Sequence, residues 1–380
     1  MQLLFWGSVF LVAYPYTAYP LLVMCWGALR PRIIRRAPFE TSVTVLIPAY
    51  NEARALAKTL DAMLAQDYPI QKIQILVVSD ASDDGTDEIV RSYSHKGVSL
   101  LRQSQRGGKA LALNAAVRQA MGDIIVFSDA NSRFAPDAVR NLVMNFADPD
   151  VGYATGSLGL SSDSPSVSGA GISAYMLYET FLRIRESRVG SVIGVNGGCD
   201  AIRRSLYSDI PGDLITDFVL PLRVIAAGHR VVFDPQARSF EESNSELRSE
   251  FGMRSRVALR ALQGLMHMRQ LLNPLRFPGV AFCILSHKVL RYLAFVFVVI
   301  ALFTNLALAV DSSFYRFVLF AQLLWYALGV WGIAATPRAR KIRLLTSIPA
   351  YLMMVYAAFA LASFRFLRGR SMATWQPRAG

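Results

Sequence analysis

The chain has 380 residues, 53% of them hydrophobic, and 40 Lys and Arg stand against 27 Asp and Glu for a formal charge of +13. So apolar a chain of this length, with a mean hydropathy of +0.33, excludes a single ordinary soluble domain. Three scattered cysteines, Cys25, Cys199 and Cys283, argue against a disulfide framework and a structural zinc site.

Four stretches free of charge are long enough to cross hydrocarbon: residues 1–29, 292–310, 317–336 and 344–364. The first lacks a basic leader and an Ala-x-Ala exit, so it is expected to be an anchor rather than a signal peptide. Arg30, Arg32, Arg35 and Arg36 follow at once and place its exit in the cytoplasm, with the polar region from about residue 38 to 275 on the same side. The positive total suits nucleic acid in principle. Here much of it flanks apolar segments (Arg30 to Arg36, His287-Lys288 with Arg291, Arg338 to Arg343), which fits anionic lipid better, and no zinc-finger or recognition-helix signature is present. Nucleic acid is not an expected partner.

Along the polar region, residues 42–48 predict a buried strand and 52–66 a helix. Residues 74–79 predict a second strand, followed by the cap-rich turn Asp80-Ala-Ser-Asp-Asp-Gly-Thr86 and a helix to about His95. A short strand at 98–101, a helix at 109–121 and a strand at 124–127 complete the pattern. Strands alternating with helices predict an α/β, mostly parallel, doubly wound sheet, with ligands beyond the carboxyl ends of its strands. Ala49-Tyr-Asn-Glu52, Asp80 to Asp84 and Asp129-Ala-Asn131 all fall at that edge. Each alone is as well explained as a helix cap; three at successive strand ends point to one pocket. Arg106-Gly-Gly-Lys109 adds a cation beside flexible backbone, suited to phosphate oxygens. It is neither a Walker A loop nor a dinucleotide glycine fingerprint.

These residues resemble the inverting nucleotide-sugar glycosyltransferases of family 2, with the GT-A fold. Within that family the chain resembles membrane-embedded bacterial polysaccharide synthases of the cellulose, hyaluronan and poly-N-acetylglucosamine group. Val45-Leu-Ile-Pro-Ala-Tyr-Asn-Glu52 and Ser79-Asp-Ala-Ser-Asp-Asp-Gly-Thr86 carry most of the resemblance. It implies that Ala49, Tyr50 and Glu52 line the nucleobase site, that Asp80 contacts base or ribose, and that Lys109 lies near the nucleotide. Asp129-Ala-Asn131 matches the Asp-x-Asp motif, so Asp129 would hold Mg²⁺ or Mn²⁺ on the diphosphate of the sugar donor. Asn131 stands where the second acid belongs, a weaker ligand for the same metal.

Val195-Asn-Gly-Gly-Cys-Asp-Ala-Ile-Arg-Arg204 resembles the family's glycine segment near the donor sugar and acceptor, with Gly197 and Gly198 at its centre; by itself it also reads as a tight turn. Leu214-Ile-Thr-Asp-Phe-Val-Leu220 aligns with the motif that supplies the catalytic base, which puts Asp217 on the base position and Thr216 in place of the acidic neighbour. The Gln-x-x-Arg-Trp segment should fall near residue 256, where Arg256 and Arg260 stand on one helical face but Leu259 takes the place of the Trp. That helix is expected to rest on the membrane surface, with Leu259, Leu262, Leu265 and Met266 toward the apolar side.

The expected layout is a transmembrane helix at 1–29, a cytoplasmic GT-A domain at 30–250, amphipathic interface helices at 251–291, about three transmembrane helices at 292–368 and a tail at 369–380. Residues 161–171, rich in Gly, Ser and Pro, are expected to form a loop over the site. Residues 311–315 make an outer loop and Pro337 to Arg343 an inner one, which sends Arg365, Arg368, Arg370 and Trp375 outside against the charge rule. Either the last helix does not cross, or residues 277–291 add a pass. The resemblance implies a multi-pass protein of the bacterial inner membrane that moves a sugar, by expectation from a UDP-sugar, to a lipid-linked acceptor or a growing polysaccharide. Partner proteins for polymerisation or export would join it. The alternatives are a transferase adding one sugar to a lipid carrier, and a non-catalytic scaffold that binds nucleotide-sugar.

Overall fold

A computed structural model describes residues 1–161, 167–242, 247–335 and 340–370. Helices α1 (Gln2–Ala13) and α2 (Ala18–Leu29) precede strand β1 (Val43–Ala49), helix α3 (Ala53–Leu64), β2 (Ile73–Ser79), α4 (Thr86–Ser92), β3 (Val98–Arg102), α5 (Lys109–Val117) and β4 (Ile124–Ser128). There follow β5 (Arg133–Phe134), α6 (Ala138–Met144), β6 (Val151–Ser161), α7 (Val167–Val189), β7 (Cys199–Arg203), α8 (Thr216–Ala226), β8 (Arg230–Glu242) and α9 (Leu247–His267). The chain ends in α10 (Pro278–Ile284), a π-helical turn Leu285–Val289, α11 (Leu290–Tyr292), α12 (Ala294–Ala309), α13 (Ser313–Ala335) and α14 (Arg340–Leu367).

The eight strands form one sheet in the order β3-β2-β1-β4-β7-β6-β8-β5. Every residue of β1 is buried, as expected of a central strand rich in β-branched residues. Val43, Val45 and Ile47 pack with α3, α4 and α6 on one face, and Leu46 packs with α5, α8 and the end of α9 on the other. The sheet is mixed: four of its seven pairings are parallel, β6 with β8 among them, and three are antiparallel. β1 is parallel to β2 and β4, and β2 to β3, but β7 runs antiparallel to β4 and β6, and β5 antiparallel to β8. The reversal matters for the site. Because Ser128 pairs with Cys199, the start of β7 lies at the carboxyl end of β4, and the Asn196-Gly197-Gly198 turn reaches the same edge as the first three loops.

Three expectations about the flanking helices change. Residues 1–29 are two helices bent by 49° about the turn Tyr14–Tyr16, where Pro15 cannot continue the ladder. The expected span from residue 292 starts at Ala294 and is bent by 58° from the helix that precedes it. Leu259 and Leu265 of α9 face protein, the first packed on Tyr351, Val355 and Phe359 of α14, the second in the core under the sheet; Met266 alone of the expected apolar row is well exposed. Among the described residues two helices, Ser313–Ala334 and Leu345–Leu367, are long and apolar enough to cross a membrane, and each bent pair counted as one span would bring the number to four. Only 11% of the first is buried against the rest of the protein, so its apolar face has no protein to cover it. Of the expected loop at 161–171, Val167 onward is helical; residues 162–166 and Trp375 lie outside the described residues.

Candidate active site

The loops after β1 and β2 are wired to each other. Asn51 donates from its side chain to Asp83 at 2.8 Å and accepts the Asp83 backbone N–H at 3.0 Å. Asp84 accepts from the backbone N–H of Ala53 at the head of α3 and from that of Thr86 at the head of α4, both at 3.0 Å, so one carboxylate serves two helix starts. These hydrogen bonds hold the Asp84 carboxyl below its ordinary value against the opposing effect of burial. Asn51 and Ala81 sit at φ +54° and +59°, a left-handed geometry that costs an alanine about 1–2 kcal/mol and is held here by the surrounding bonds.

Asp80, buried at the end of β2, accepts the backbone N–H of Gly107 at 2.7 Å and of Gly108 at 2.8 Å, one on each oxygen. Its visible role is thus to clamp the Arg106–Lys109 turn. The Arg106 guanidinium lies 3.8 Å from the centroid of the Tyr50 ring. Ala49 ends β1, fully buried, and the Glu52 backbone N–H is held by the Thr86 hydroxyl at 2.9 Å.

The clamp positions Lys109 at the first residue of α5. Its Nζ lies 2.7 Å from Asp129 Oδ1 and 3.5 Å from Asp217 Oδ2, a cation shared by two acids from distant parts of the chain. Burial alone would favour neutral Lys109, but Asp129 and Asp217 outweigh it and raise its pKa, so it stays charged. Asp217 stands in the first turn of α8, where Thr216 Oγ1 donates to its Oδ1 at 3.0 Å. Burial pushes its carboxyl upward; Lys109 opposes and Asp129 reinforces this. It is not sealed off, because 27% of its side chain is open to solvent. Gly197 takes φ +88°, and a Cβ there would overlap the Asp217 carboxylate, so the backbone touches the acid where only glycine fits.

A Cβ added at Gly198 would lie 2.9 Å from Glu241 Oε1, 3.0 Å from Ser132 Oγ and 3.4 Å from Asp129 Oδ2. Asp129 and Glu241 therefore converge on one small space, with half-buried Asn131 on the turn between Asp129 and Ser132. Among the described residues no cluster of three or more His, Cys, Asp or Glu is built to hold a metal. One or two carboxylates completed by substrate phosphates are what Mg²⁺ and Mn²⁺ accept, so the oxygen donors at Asp129 fit a hard divalent ion. Arg260 donates to the Leu214 carbonyl at 2.8 Å in front of α8, and its Nε is buried with no partner among the described residues. Burial lowers the Arg260 pKa while Asp217 raises it, which puts the two charges in one field; Arg256 lies close enough to Arg260 to repel it.

Sequence reasoning missed Asp200 and Glu241. Asp200 is fully buried on β7, beside Tyr153 and Thr155 of β6, and no hydrogen bond of full geometry reaches either carboxyl oxygen among the described residues. Burial pushes its pKa up to about 7; the nearby Thr155 and Tyr153 hydroxyls only moderate this. An acid two places beyond the paired glycines was the available signal for Asp200. None pointed to Glu241. A depression of about 620 Å³, between Ser205–Ser208 and His267–Gln270, contains none of these acids.

Residues 44–210 match the family model described as glycosyl transferase family 2. That match takes in the strands from β1 to β7 and less than half of the chain. It is 29% identical over 234 residues to the probable glycosyltransferase YdaM of Bacillus subtilis, covering 57% of this chain and 54% of that protein. It is 30% identical over 213 residues to an N-acetylglucosaminyltransferase of Mesorhizobium japonicum, covering 52% and 50%. The chain thus spans about half the length of the curated relatives it matches. Among solved structures it is similar to the mannosyltransferase PcManGT of Pyrobaculum calidifontis, in complex with GDP-Man and Mn²⁺, with a TM-score of 0.71 and 25% identity over 97% of this chain and 99% of that one. The fold is therefore GT-A-like with a mixed sheet, extended by the apolar C-terminal helices.

Proposed function

We propose that the protein is an inverting, metal-dependent glycosyltransferase that moves a sugar from a nucleoside-diphosphate donor, by preference a UDP-sugar, to a lipid-linked or growing glycan acceptor at a membrane. The observation that carries this reading is Asp217: a partly open carboxylate 3.5 Å from Lys109 Nζ, beside the Asp129 turn and pressed by the Gly197 backbone.

The donor's base and ribose lie against Ala49, Tyr50 and Glu52, within the turn that Asp80 clamps. Lys109, and from the far side Arg256 and Arg260, offset the negative charge that grows on the diphosphate as the anomeric C–O bond breaks. Asp129, with Asn131 at its side, would hold a divalent ion, which when bound would supply Lewis-acid relief of that same charge. Asp217 accepts the proton of the attacking hydroxyl, whose oxygen forms the new bond on the face opposite the leaving group, so one displacement inverts the centre. Gly197 and Gly198 give the sugar and acceptor close approach to backbone. The upward push on the Asp217 carboxyl makes it a better base than an ordinary aspartate while Lys109 keeps it ionised.

We place the donor domain at residues 30–250 on the cytoplasmic face of a multi-pass membrane protein, with α9 to α11 at the interface and α12 to α14 in the bilayer. Two apolar helices of spanning length and the arginine run at 30–36 support that layout. The test is transfer from radiolabelled nucleotide-sugars in proteoliposomes. Donor-dependent incorporation into a lipid extract, lost in Asp217→Asn, is the expected result; tight donor binding without incorporation would make the protein a scaffold.

A further inference from the structure

A second cavity, of about 260 Å³, opens between α7, α9, α11 and α14, apart from the Asp217 site. Its polar wall contains Arg254, Arg291, Tyr175, Tyr178 and Tyr351. The opposite wall is apolar and belongs to α14: Leu352, Val355 and Phe359, on the helix whose Leu345–Leu367 segment is of membrane-spanning length. One end can bind hydrogen-bond acceptors and the other only hydrocarbon.

The polar end is cationic in an unusual way. The Arg254 guanidinium lies 4.8 Å from the Tyr175 ring centroid and that of Arg291 5.2 Å from the same ring, so the two charges are within about 10 Å of each other. Each has a carboxylate partner: Arg254 Nε donates to Glu250 at 2.8 Å, and Arg291 donates to Glu179, an acid that Arg183 and His287 share. Those acids engage only part of each guanidinium's five N–H donors. Both guanidiniums line the cavity, so the donors left over can serve the oxygens of an anion that enters it. Tyr351 supplies the independent observation. It is buried, yet its hydroxyl has no hydrogen-bond partner among the described residues. A phenol in that position lacks an acceptor that a ligand oxygen would provide.

We propose that this cavity binds the head of a phosphate- or diphosphate-linked lipid, with Arg254, Arg291 and the Tyr351 hydroxyl on the phosphate oxygens and the first part of the chain along Leu352, Val355 and Phe359. Planar guanidiniums match phosphate oxygens bidentately, and the volume holds a head and the start of a chain rather than a whole lipid. The cavity is coupled to the chemistry by two routes. Arg254 and Arg260 are six residues apart on α9, about 9 Å along the axis, and Arg260 shares the field of Asp217. From α7, Arg183 lies 3.8 Å from Glu179 and holds the Gly194 carbonyl at 2.9 Å and the Asn196 side chain, one residue before the Gly197 that touches Asp217. A phosphate seated here would lead its attached sugar toward Asp217. The inference rests on the glycosyl-transfer reading for the role of the lipid; the binding itself requires no turnover.

The test is calorimetric titration of the full-length protein in detergent, without nucleotide, using farnesyl phosphate, farnesol and inorganic phosphate separately. Farnesyl phosphate is expected to bind at least tenfold more tightly than either of the others. Tyr351→Phe, which keeps the ring packed, and Arg254→Gln should each weaken it at least fivefold while nucleoside-diphosphate affinity stays unchanged. Equal binding of farnesol would reduce the cavity to a greasy crevice, tight binding of inorganic phosphate alone would assign it to a free ion, and wild-type affinity in Tyr351→Phe would remove the hydroxyl's role; each overturns the proposal. Should Arg254→Gln fail to fold, the Tyr351→Phe titration decides. Farnesyl phosphate binding in a protein that shows no sugar transfer would leave the cavity standing and the transfer reading refuted.

Discussion

Replacing Asp200 by Asn should change how stability depends on pH, by an amount that follows from its burial. The folded-state pKa is pushed up from an ordinary 3.8 to about 7 because the carboxyl is sealed between β6 and β4. Below pH 3.8 both folded and unfolded chains carry the proton and no penalty exists. Between 3.8 and 7 the unfolded chain ionises while the folded one does not, so stability falls as pH rises; above 7 the loss is complete. Three units at about 1.4 kcal/mol each give a full cost of about 4 kcal/mol, of which more than half accrues between about pH 5 and about pH 8. Asn keeps the shape and removes the titration. Equilibrium denaturation of the full-length protein in detergent, followed by tryptophan fluorescence across that range, should show the wild-type losing roughly 2–3 kcal/mol relative to Asp200→Asn. Parallel curves for the two proteins would refute the reasoning. A second check is internal: Asp217 is a like charge that raises the Asp200 pKa, so Asp217→Asn should flatten the wild-type curve in part.

Asp217→Asn should lower transfer by at least ~10³-fold and leave donor affinity within about twofold, measured by labelled-sugar incorporation beside nucleotide titration. The acid limb of the wild-type pH–rate profile should lie above the ordinary aspartate range, since burial raises the Asp217 pKa and only its ionised form accepts a proton. Lys109→Gln removes the cation between Asp129 and Asp217 and should cost ~10²-fold in turnover. Gly197→Ala places a methyl on the Asp217 carboxylate at a positive φ; transfer should fall by at least ~10²-fold with the fold retained by circular dichroism. Chelation should abolish transfer, Mg²⁺ or Mn²⁺ should restore it, and Asp129→Ala should lose the metal-dependent gain in nucleotide affinity seen by titration.

Much of the donor half was legible because its signals are local. Short apolar runs with capping groups at their ends mark β1, β2 and β4, and the clusters at 49–52, 80–84 and 129–131 fall at one edge whenever such strands run parallel. The interlock was less visible. That Asp80 spends both oxygens on the Gly107 and Gly108 N–H groups depends on a turn folding back over a strand end. The apolar row on α9 was misassigned for a related reason: periodicity identifies a buried face but not whether lipid or protein buries it, and α14, about ninety residues later in the chain, covers Leu259.

The sequence by itself determined the strands of the first half, the Lys109 and Asp129 candidates at their ends and the apolar segments, since each depends on side-chain type and short-range spacing; Asp217 came only from the resemblance to a known family. Only the tertiary structure decided that β7 runs backwards against β4, which brings Gly197 against Asp217 and Gly198 between Asp129 and Glu241. The same is true of the bend at Tyr14–Tyr16 and of the cavity where Arg254, Arg291 and Tyr351 meet. The physical reason is common to all three. Strand direction, helix packing and cavity walls are set by contacts between segments far apart in the chain, and each segment's own pattern is compatible with several partners.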